Sequence, residues 1–251
     1  MLAAGDNWTD ILAVLKWFPL HPRCGLYMRQ LDIPGIDTKF VEQRKGILTE
    51  LLNIILPEET IDHSATSFEQ RFGLRVKPLQ VRMRLLDQTQ YIQGLSDLTI
   101  PVEQLKDWSS AANRVFITEN EINGLCFPDT ENSLVIFGLG YGVDILRAVT
   151  WLREKEIYYW GDIDTHGLAM LDQVRSFLPQ TCPMLMEEST LFKHSDLWSV
   201  EDKPFSGQLT RLTPGEHQLL CSLQNNTWGQ GVRLEQERIS FQAVKQFLAS
   251  L

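Results

Sequence analysis

Short apolar runs alternate with helical segments from about residue 109 onward, and this alternation restricts the possible folds more than any other feature. The runs are rich in β-branched and aromatic residues and occupy residues 114–118, 133–137, 156–160 and, less clearly, 182–186. Helical patterns follow two of them, at residues 143–155 and 167–179. Strands alternating with helices of this length predict an α/β domain with a parallel sheet. Chemistry in such sheets collects beyond the carboxyl ends of the strands.

The residues before this region predict a different unit. Residues 9–20 and 38–55 carry apolar side chains at helical spacing, and residues 79–87 alternate like a half-buried strand. Val81, Met83 and Leu85 fall on one face of that strand, and basic side chains fall on the other. Two helices and then a basic strand favour a winged-helix-like α+β unit.

We therefore expect three parts along the chain. Residues 1–108 form the winged-helix-like, DNA-binding unit, residues 109–200 form the parallel-sheet domain, and residues 201–251 form a largely helical C-terminal extension. No internal repeat or low-complexity segment interrupts this order.

Three acidic side chains stand where a parallel sheet places its chemistry. Glu119 directly follows one predicted strand, and Asp162 and Asp164 follow another. If the two strands are neighbours, the three carboxylates converge, and anions about 5 Å apart repel by roughly 3 kcal/mol per pair at an effective dielectric constant of 20. A divalent cation such as Mg²⁺ or Mn²⁺ would relieve that repulsion. Alternatively, both aspartates only cap the following helix and Glu119 lies on the surface.

Charge is unevenly distributed along the chain. The net charge of −9 excludes a protein that coats nucleic acid by bulk electrostatics. The stretch from residue 71 to residue 84 nevertheless holds five basic side chains and no acid, and we expect it to bind backbone phosphates without sequence preference. Its basic members are Arg71, Arg75, Lys77, Arg82 and Arg84.

Composition places the chain among ordinary globular proteins. Hydrophobic residues make up 43% and charged residues 22%. The first ten residues carry two acids and no basic residue, unlike a secretory signal, and no apolar run is long enough to span a bilayer. The four cysteines are scattered without a CxxC pair, which favours free thiols in a reducing cytoplasm.

The acids lie in motifs that resemble a known domain. A strand followed by Glu119, and a later strand followed by GDIDTHG, resemble the Toprim domain of topoisomerases, primases and related nucleases, including the A subunit of type IIB topoisomerases. More specifically, the chain resembles the C-terminal part of the JetD family, the nuclease subunit of Wadjet anti-plasmid defence. The similar stretches are GLYMRQLDIPGIDTKFVE, FEQRFGLR, VFITENEINGLCFP, VIFGLGYG, YYWGDIDTHGLAML, LMEESTL and RLEQERI.

This resemblance implies an activity and partners. It implies a divalent-metal-dependent DNA endonuclease in which Glu119, Asp162 and Asp164 hold Mg²⁺ or Mn²⁺. It also implies a homodimer to which an SMC-type loop-extruding complex delivers circular double-stranded DNA. The JetD family has a substantial N-terminal arm ahead of the part matched here, and no function that depends on that arm is expected of these residues.

Several residues keep two interpretations. His166 could orient a phosphate or a metal-bound water, or only support the turn. Tyr27 could attack DNA, as a tyrosine does in the topoisomerase relatives, although a tyrosine between Leu26 and Met28 more often belongs to a core. A non-catalytic DNA-docking subunit, with the acids holding a structural cation, is the remaining alternative.

Two further patterns bear on the site. Gly138, Gly140 and Gly142 follow a strand, but their GxGxG spacing differs from the GxGxxG of dinucleotide sites and favours a tight turn. Glu187, Glu235 and Glu237 match positions of the JetD family, and salt bridges that fix the C-terminal extension explain them equally well.

Overall fold

The structure is a computed structural model that describes residues 8–108 and 110–251, except for the side chain of Tyr141. These residues divide into two compact units, and the division lies between Lys77 and Pro78. Within the described part of the chain, no helix is long and apolar enough to cross a membrane.

The first unit is helical. Asp37 begins its second helix by accepting a hydrogen bond from Phe40 N at 2.7 Å. The backbone of Arg44 (φ −119°, ψ 14°) then leaves the helical conformation, so the continuous helix predicted over residues 38–55 is divided in two. The unit contains α1 (Trp8–Leu20), α2 (Thr38–Gln43), α3 (Lys45–Ile55) and α4 (Phe68–Arg71).

Three phenylalanine rings meet in the otherwise aliphatic core of the first unit. The rings of Phe18, Phe68 and Phe72 meet edge to face, with centroids 5.0–6.0 Å apart. Leu48 and Leu52 of α3 are fully buried in the same cluster. The helical spacing of these apolar residues in α1 and α3 therefore corresponds to one shared core.

The second unit is built on a mixed, mostly parallel sheet. Its strands are β1 (Gln80–Leu85), β2 (Asp97–Pro101), β3 (Arg114–Thr118), β4 (Ser133–Phe137), β5 (Glu156–Trp160) and β6 (Cys182–Pro183). They lie in the order β2-β1-β4-β3-β5-β6, and β4, β3, β5 and β6 run parallel. The α/β prediction is confirmed, and β3, β4 and β5 have the predicted bounds.

Helices cover the sheet and continue into the C-terminal segment. Residues 143–155 are not the single helix that their pattern predicts; they belong to two 3-10 helices, Gly140–Ala148 and Thr150–Glu154, separated at Val149. The α-helices are α5 (Val102–Asp107), α6 (Glu121–Leu125), α7 (Thr165–Arg175), α8 (Glu188–Lys193), α9 (Pro214–Gln224) and α10 (Phe241–Ala249). A second, two-stranded sheet joins β7 (Ser199–Val200) to β8 (Val232–Arg233).

The basic strand belongs to the second unit, contrary to the expectation that it completes a winged-helix-like unit. β1 pairs antiparallel with β2 and β4. Val81, Met83 and Leu85 are buried as predicted, and they extend the core of the large sheet. Among residues 8–77 no β-strand forms. The division between units thus precedes β1 instead of falling near residue 108.

Gly124 lets α6 lie directly on the sheet, and this contact predicts a stability effect. A Cβ added at Gly124 would overlap the ring of Phe137 in β4. We expect Gly124→Ala to lower the unfolding free energy by about 1–3 kcal/mol, because a packed interior does not accept extra volume. Urea titration followed by circular dichroism would measure the change.

Gly215 provides the matched control. It lies in α9, and an added Cβ would have no neighbour within 4 Å. Gly215→Ala should change stability by no more than about 0.5 kcal/mol. Equal effects of the two substitutions would contradict the close packing of α6 on Phe137.

Candidate functional site

The predicted acids stand at the carboxyl ends of two adjacent strands. β3 and β5 pair in parallel with Thr118 opposite Trp160, so Glu119 and the residues after Trp160 leave the sheet side by side. Glu119 and Asp162 line one open cleft of about 220 Å³. The residues lining this cleft are Glu119, Asn120, Asp162, Arg233, Glu235, Gln236 and Glu237.

The two aspartates have different backbone partners. Asp164 caps α7, since its Oδ1 accepts a hydrogen bond from Gly167 N at 2.7 Å. Asp162 does not cap that helix; its Oδ1 accepts from Gln236 N at 2.9 Å. The capping alternative therefore holds for Asp164 alone, and Asp162 is bound to a segment far away in the sequence.

Arg233 lies among these acids, and the sequence analysis did not identify it. Its Nη2 forms an ion pair with Asp162 Oδ2, and its Nη1 is 3.6 Å from Glu235 Oε1. Its Nε is 3.0 Å from Asp164 Oδ2, but the angle there does not meet hydrogen-bond geometry. The guanidinium group thus supplies positive charge next to both aspartates.

The segment that carries Arg233 crosses the ends of β3 and β5. Leu234 and Ile163 exchange two backbone hydrogen bonds, of 2.9 and 3.1 Å. The side-chain oxygen of the buried Gln236 accepts from Thr118 Oγ1 at 2.6 Å and from Asn123 Nδ2 at 2.9 Å. The sequence signal for this segment was the stretch RLEQERI, which gave no indication of its spatial neighbours.

Glu119 is a half-buried acid with a raised pKa. Burial is the main cause, and the nearby carboxylate of Asp162 adds to it. The hydroxyl of the fully buried Tyr159 donates a hydrogen bond to Glu119 Oε1 and acts in the opposite direction. Gly161 leaves room for this pair, because a Cβ there would stand 2.7 Å from the Tyr159 hydroxyl.

Asp164 is the most strongly perturbed acid of the site. Its exposed fraction is 4%, and burial raises its pKa to about 6. The carboxylates of Glu201 and Asp162 raise the pKa further, whereas the Gly167 N–H and Arg233 oppose them. Glu201 is itself buried and accepts hydrogen bonds from Thr165 Oγ1 at 2.8 and 2.9 Å. The carboxylates of Glu201 and Asp162 therefore repel that of Asp164 at the start of α7.

His166 is held by a loop of the same unit. Its Nε2 donates to the backbone carbonyl of Lys203 at 2.9 Å, and its ring meets Phe205 edge to face. Because a carbonyl only accepts, this bond requires the proton on Nε2. The histidine supports the turn after Asp164, and contact with a phosphate or a metal-bound water stays a prediction.

The acids fit a hard divalent cation by their chemistry, although their present arrangement is not a ligand set. Within residues 8–108 and 110–251, no three His, Cys, Asp or Glu side chains are grouped as metal ligands. Two of the carboxylates, those of Asp162 and Asp164, are instead directed at the guanidinium group of Arg233. Carboxylate oxygens are nevertheless the ligands that Mg²⁺ and Mn²⁺ prefer.

Glu235, Glu237 and Glu187 take part in local contacts. Glu235 pairs with Arg238 Nε at 2.8 Å as well as with Arg233. Glu237 accepts a hydrogen bond from Asn120, and both of these side chains line the cleft. Glu187 accepts from the Thr190 hydroxyl at the start of α8. Two of the three family positions therefore border the site.

The glycines after β4 form a turn of the kind expected. Gly138 (φ +74°) and Gly140 (φ +46°) adopt left-handed conformations that side chains disfavour. The chain then enters a 3-10 helix, whereas phosphate binding in dinucleotide sites uses the N-terminus of an α-helix.

Arg82 and Arg84 have partners within the second unit. Arg82 binds both carboxylate oxygens of Asp97, at 2.7 and 3.0 Å, and also pairs with Glu121. Arg84 donates to Phe127 O at 2.7 Å and to Asp129 at 2.8 Å. The predicted phosphate-binding face of β1 is thus largely neutralised by acids of the same chain.

Three other basic residues and Tyr27 belong to the first unit. Arg71 donates to Asn53 Oδ1 at 3.0 Å, whereas Arg75 and Lys77 are exposed. Tyr27 is 37% exposed, with the Arg75 guanidinium 5.3 Å from its ring centroid. The interpretation of Tyr27 as a core residue is wrong, because its side chain is exposed. Its neighbour Met28 is the buried residue of this pair.

A larger cavity, of about 450 Å³, lies in the first unit among residues from Met28 to Val41. Among the described residues, Asp37 is the one acid that lines it. We therefore consider the smaller cleft at the strand ends the better candidate for acid or metal chemistry.

Comparison with known families adds two matches. Residues 73–248, well over half of the chain, match the family described as Wadjet protein JetD, C-terminal. Residues 1–53 match a family described as an uncharacterised protein conserved in bacteria, N-terminal. No curated protein matches the chain. The first match contains all the acids of the site, and the second overlaps the helical unit.

The raised pKa of Asp164 predicts how the unfolding free energy of the chain depends on pH when a chelator keeps the solution free of metal ions. Between pH 3.8, its ordinary pKa, and about 6, the folded chain binds this proton and the unfolded chain has released it. The unfolding free energy should therefore fall as pH rises through this window, by on the order of 1–3 kcal/mol from this group. Denaturant titrations at several pH values would measure the fall.

Asp164→Asn separates this group from the others. Asparagine keeps an oxygen to cap α7 but has no proton to release, so the fall in stability should be smaller in this variant. An unchanged pH profile would show that Asp164 titrates normally.

Proposed function

The chain belongs to the family described as Wadjet protein JetD, C-terminal, and we propose that it is a divalent-metal-dependent DNA endonuclease within such a Wadjet system. The observation that carries this proposal is that Glu119 and Asp162 line one cleft at the carboxyl ends of β3 and β5, where Arg233 contacts both Asp162 and the buried Asp164. We assign the sheet and its acids to a Toprim domain on the same grounds. The proposed reaction is hydrolysis of a phosphodiester bond.

Each acid has a proposed part in this reaction. Glu119, Asp162 and Asp164 would hold Mg²⁺ or Mn²⁺, which polarises a scissile phosphate and lowers the pKa of a bound water. The raised pKa of Glu119 also suits it to accept a proton from that water. Tyr159 positions Glu119 through its hydroxyl. His166, at the turn after Asp164, would orient a substrate phosphate or a metal-bound water.

The DNA contact is proposed for the first unit. Arg75 and Lys77 are exposed there and have no carboxylate partner among the described ion pairs, so they can bind backbone phosphates. Arg71, Arg82 and Arg84 have partners within the chain and would contribute less. The substrate would be circular double-stranded DNA, delivered by an SMC-type complex to a homodimer in the cytoplasm.

Tyr27 gives a second candidate function. Its exposure and the guanidinium of Arg75 near its ring favour a role at the DNA surface. If its hydroxyl attacked the phosphodiester, the protein would be a topoisomerase-like transesterase and would stay attached to one DNA end. We favour hydrolysis, because Glu119 and Asp162 line a cleft formed by residues of the second unit, and a metal-bound water there would need no tyrosine.

Removing the proposed metal ligands should abolish cleavage. We expect Asp162→Asn and Glu119→Gln to reduce the nicking or cutting of supercoiled plasmid with Mn²⁺ by at least about 100-fold, or about 2.7 kcal/mol of barrier. Agarose gels over time would measure the loss. Glu154→Gln, which changes an exposed acid just before β5 at the other end of that strand, should keep the wild-type rate.

Cleavage that survives in both variants would remove these acids from the mechanism. Wild-type DNA binding without any cleavage, with either metal, would instead favour a non-catalytic docking subunit.

Tyr27→Phe separates hydrolysis from transesterification. This change keeps the ring that faces Arg75 and removes only the hydroxyl, so a hydrolase should retain cleavage within about tenfold. The products should also run identically on denaturing gels with and without protease digestion. Lost cleavage, together with wild-type products that enter the gel only after proteolysis, would establish the transesterase.

Neutralising the exposed basic pair should weaken DNA binding uniformly. Arg75→Gln with Lys77→Gln should lower affinity for unrelated sequences alike and flatten the slope of log K against log salt by about two units. Fluorescence anisotropy at several salt concentrations would measure it. Lys16→Gln with Lys39→Gln, the same charge change elsewhere in the first unit, is the control, and equal slopes for both pairs would contradict a specific phosphate contact.

A further inference from the structure

The carboxylate oxygens of Asp162 and Asp164 are divided between two kinds of partner. In both residues Oδ1 is fixed by a backbone N–H, from Gln236 and from Gly167. In both residues Oδ2 faces Arg233, through Nη2 in one case and Nε in the other. The two oxygens directed at a common point are therefore the Oδ2 atoms, and the guanidinium group lies against both.

Arg233 is the one basic side chain among the described residues that line the cleft. The acids lining it are Glu119, Asp162, Glu235 and Glu237. The buried Asp164 does not line the cleft but contacts Arg233. A guanidinium group stays protonated at any pH at which the protein is folded. Arg233 therefore supplies a permanent positive charge at the point where these carboxylates repel most strongly.

We propose that Arg233 is the resident counter-ion of this site and competes with a divalent cation for Asp162 Oδ2 and Asp164 Oδ2. This inference rests on the proposed metal-dependent function. The arginine has to leave both oxygens before a cation can bind them, so its departure is part of assembling the active site. Without a cation, Arg233 offsets part of the negative charge of the acids.

The surroundings of Arg233 allow this departure. The backbone stays anchored by the pairing of Arg233 with Ser199 and by the two hydrogen bonds between Leu234 and Ile163. The side chain itself is 32% exposed. Its Nε contact with Asp164 lacks hydrogen-bond geometry, which makes that contact the easier one to break.

Glu235 offers another carboxylate to which the displaced guanidinium group of Arg233 can bind. Glu235 lines the cleft, and its Oε1 is 3.6 Å from Arg233 Nη1. The guanidinium can therefore move from the aspartates towards Glu235 without becoming unpaired. Such a shift would keep its charge near an approaching DNA phosphate.

Metal affinity in the absence of DNA tests the proposal directly. Binding of Mn²⁺ is followed by loss of the electron paramagnetic resonance signal of the free ion, for the full chain at fixed pH and salt. We expect Arg233→Gln to bind Mn²⁺ about tenfold more tightly than the wild type, or about 1.4 kcal/mol. Arg233→Lys, which keeps the charge, should stay within about threefold of the wild type.

Arg238→Gln is the matched control. Arg238 belongs to the same segment and pairs with Glu235, but it has no ion pair with either aspartate. Its replacement should leave Mn²⁺ affinity unchanged. An equal gain in Arg238→Gln would mean that net charge alone sets the affinity, and this would overturn the proposed competition.

The outcomes distinguish this inference from the proposed function. If the wild type binds Mn²⁺, Asp162→Asn does not, and Arg233→Gln binds no more tightly than the wild type, the metal site stands and the competition is wrong. If no chain binds Mn²⁺, or Asp162→Asn binds like the wild type, the proposed metal site fails and the inference fails with it.

A measurement on the wild-type chain covers the case in which Arg233→Gln does not fold. The ¹⁵N resonance of Arg233 Nε, identified by its absence in Arg233→Lys, should shift as Mg²⁺ is added, whereas the Arg238 resonance should not. An unmoved Arg233 resonance at Mg²⁺ concentrations that displace bound Mn²⁺ would overturn the proposal.

Discussion

Burial of carboxylates at the ends of β3 and β5, with their mutual repulsion added to it, is the constraint to which the surrounding structure responds. Burial raises the pKa of both Glu119 and Asp164, so their negative charge is costly where it stands. The Tyr159 hydroxyl donates to Glu119, the Gly167 N–H to Asp164 and the Gln236 N–H to Asp162. Arg233 supplies the charge that these neutral donors lack.

This arrangement makes the sheet and the C-terminal segment depend on each other. Thr118 at the end of β3 donates to Gln236, while Leu234 bonds to the backbone of Ile163 after β5. The segment around Arg233 is thus held by the ends of β3 and β5, and Arg233 in turn offsets part of the negative charge of the acids that follow these strands. Its local sequence would not form this structure alone, because its strand β8 is only two residues long.

The parts of the fold that were predictable are those that depend on local pattern. The three central strands have the predicted bounds because their β-branched and aromatic runs leave few other conformations. The place of β1 was not predictable, since alternation shows that one face is buried but not which core buries it. The exposure of Tyr27 was missed because apolar neighbours in the sequence do not show which side chains face the core.

The candidate site was predictable only in its acidic half. Position after a strand identified Glu119, Asp162 and Asp164, because parallel strands end at a common edge. Arg233 and Gln236 act through residues about 70 or more positions earlier in the chain, and no spacing rule connects such positions. During synthesis the acids therefore leave the ribosome long before their counter-ion does. Until residue 233 emerges, a nascent chain carries these acids without the arginine that offsets their charge, so the strand ends reach their final arrangement only after that point.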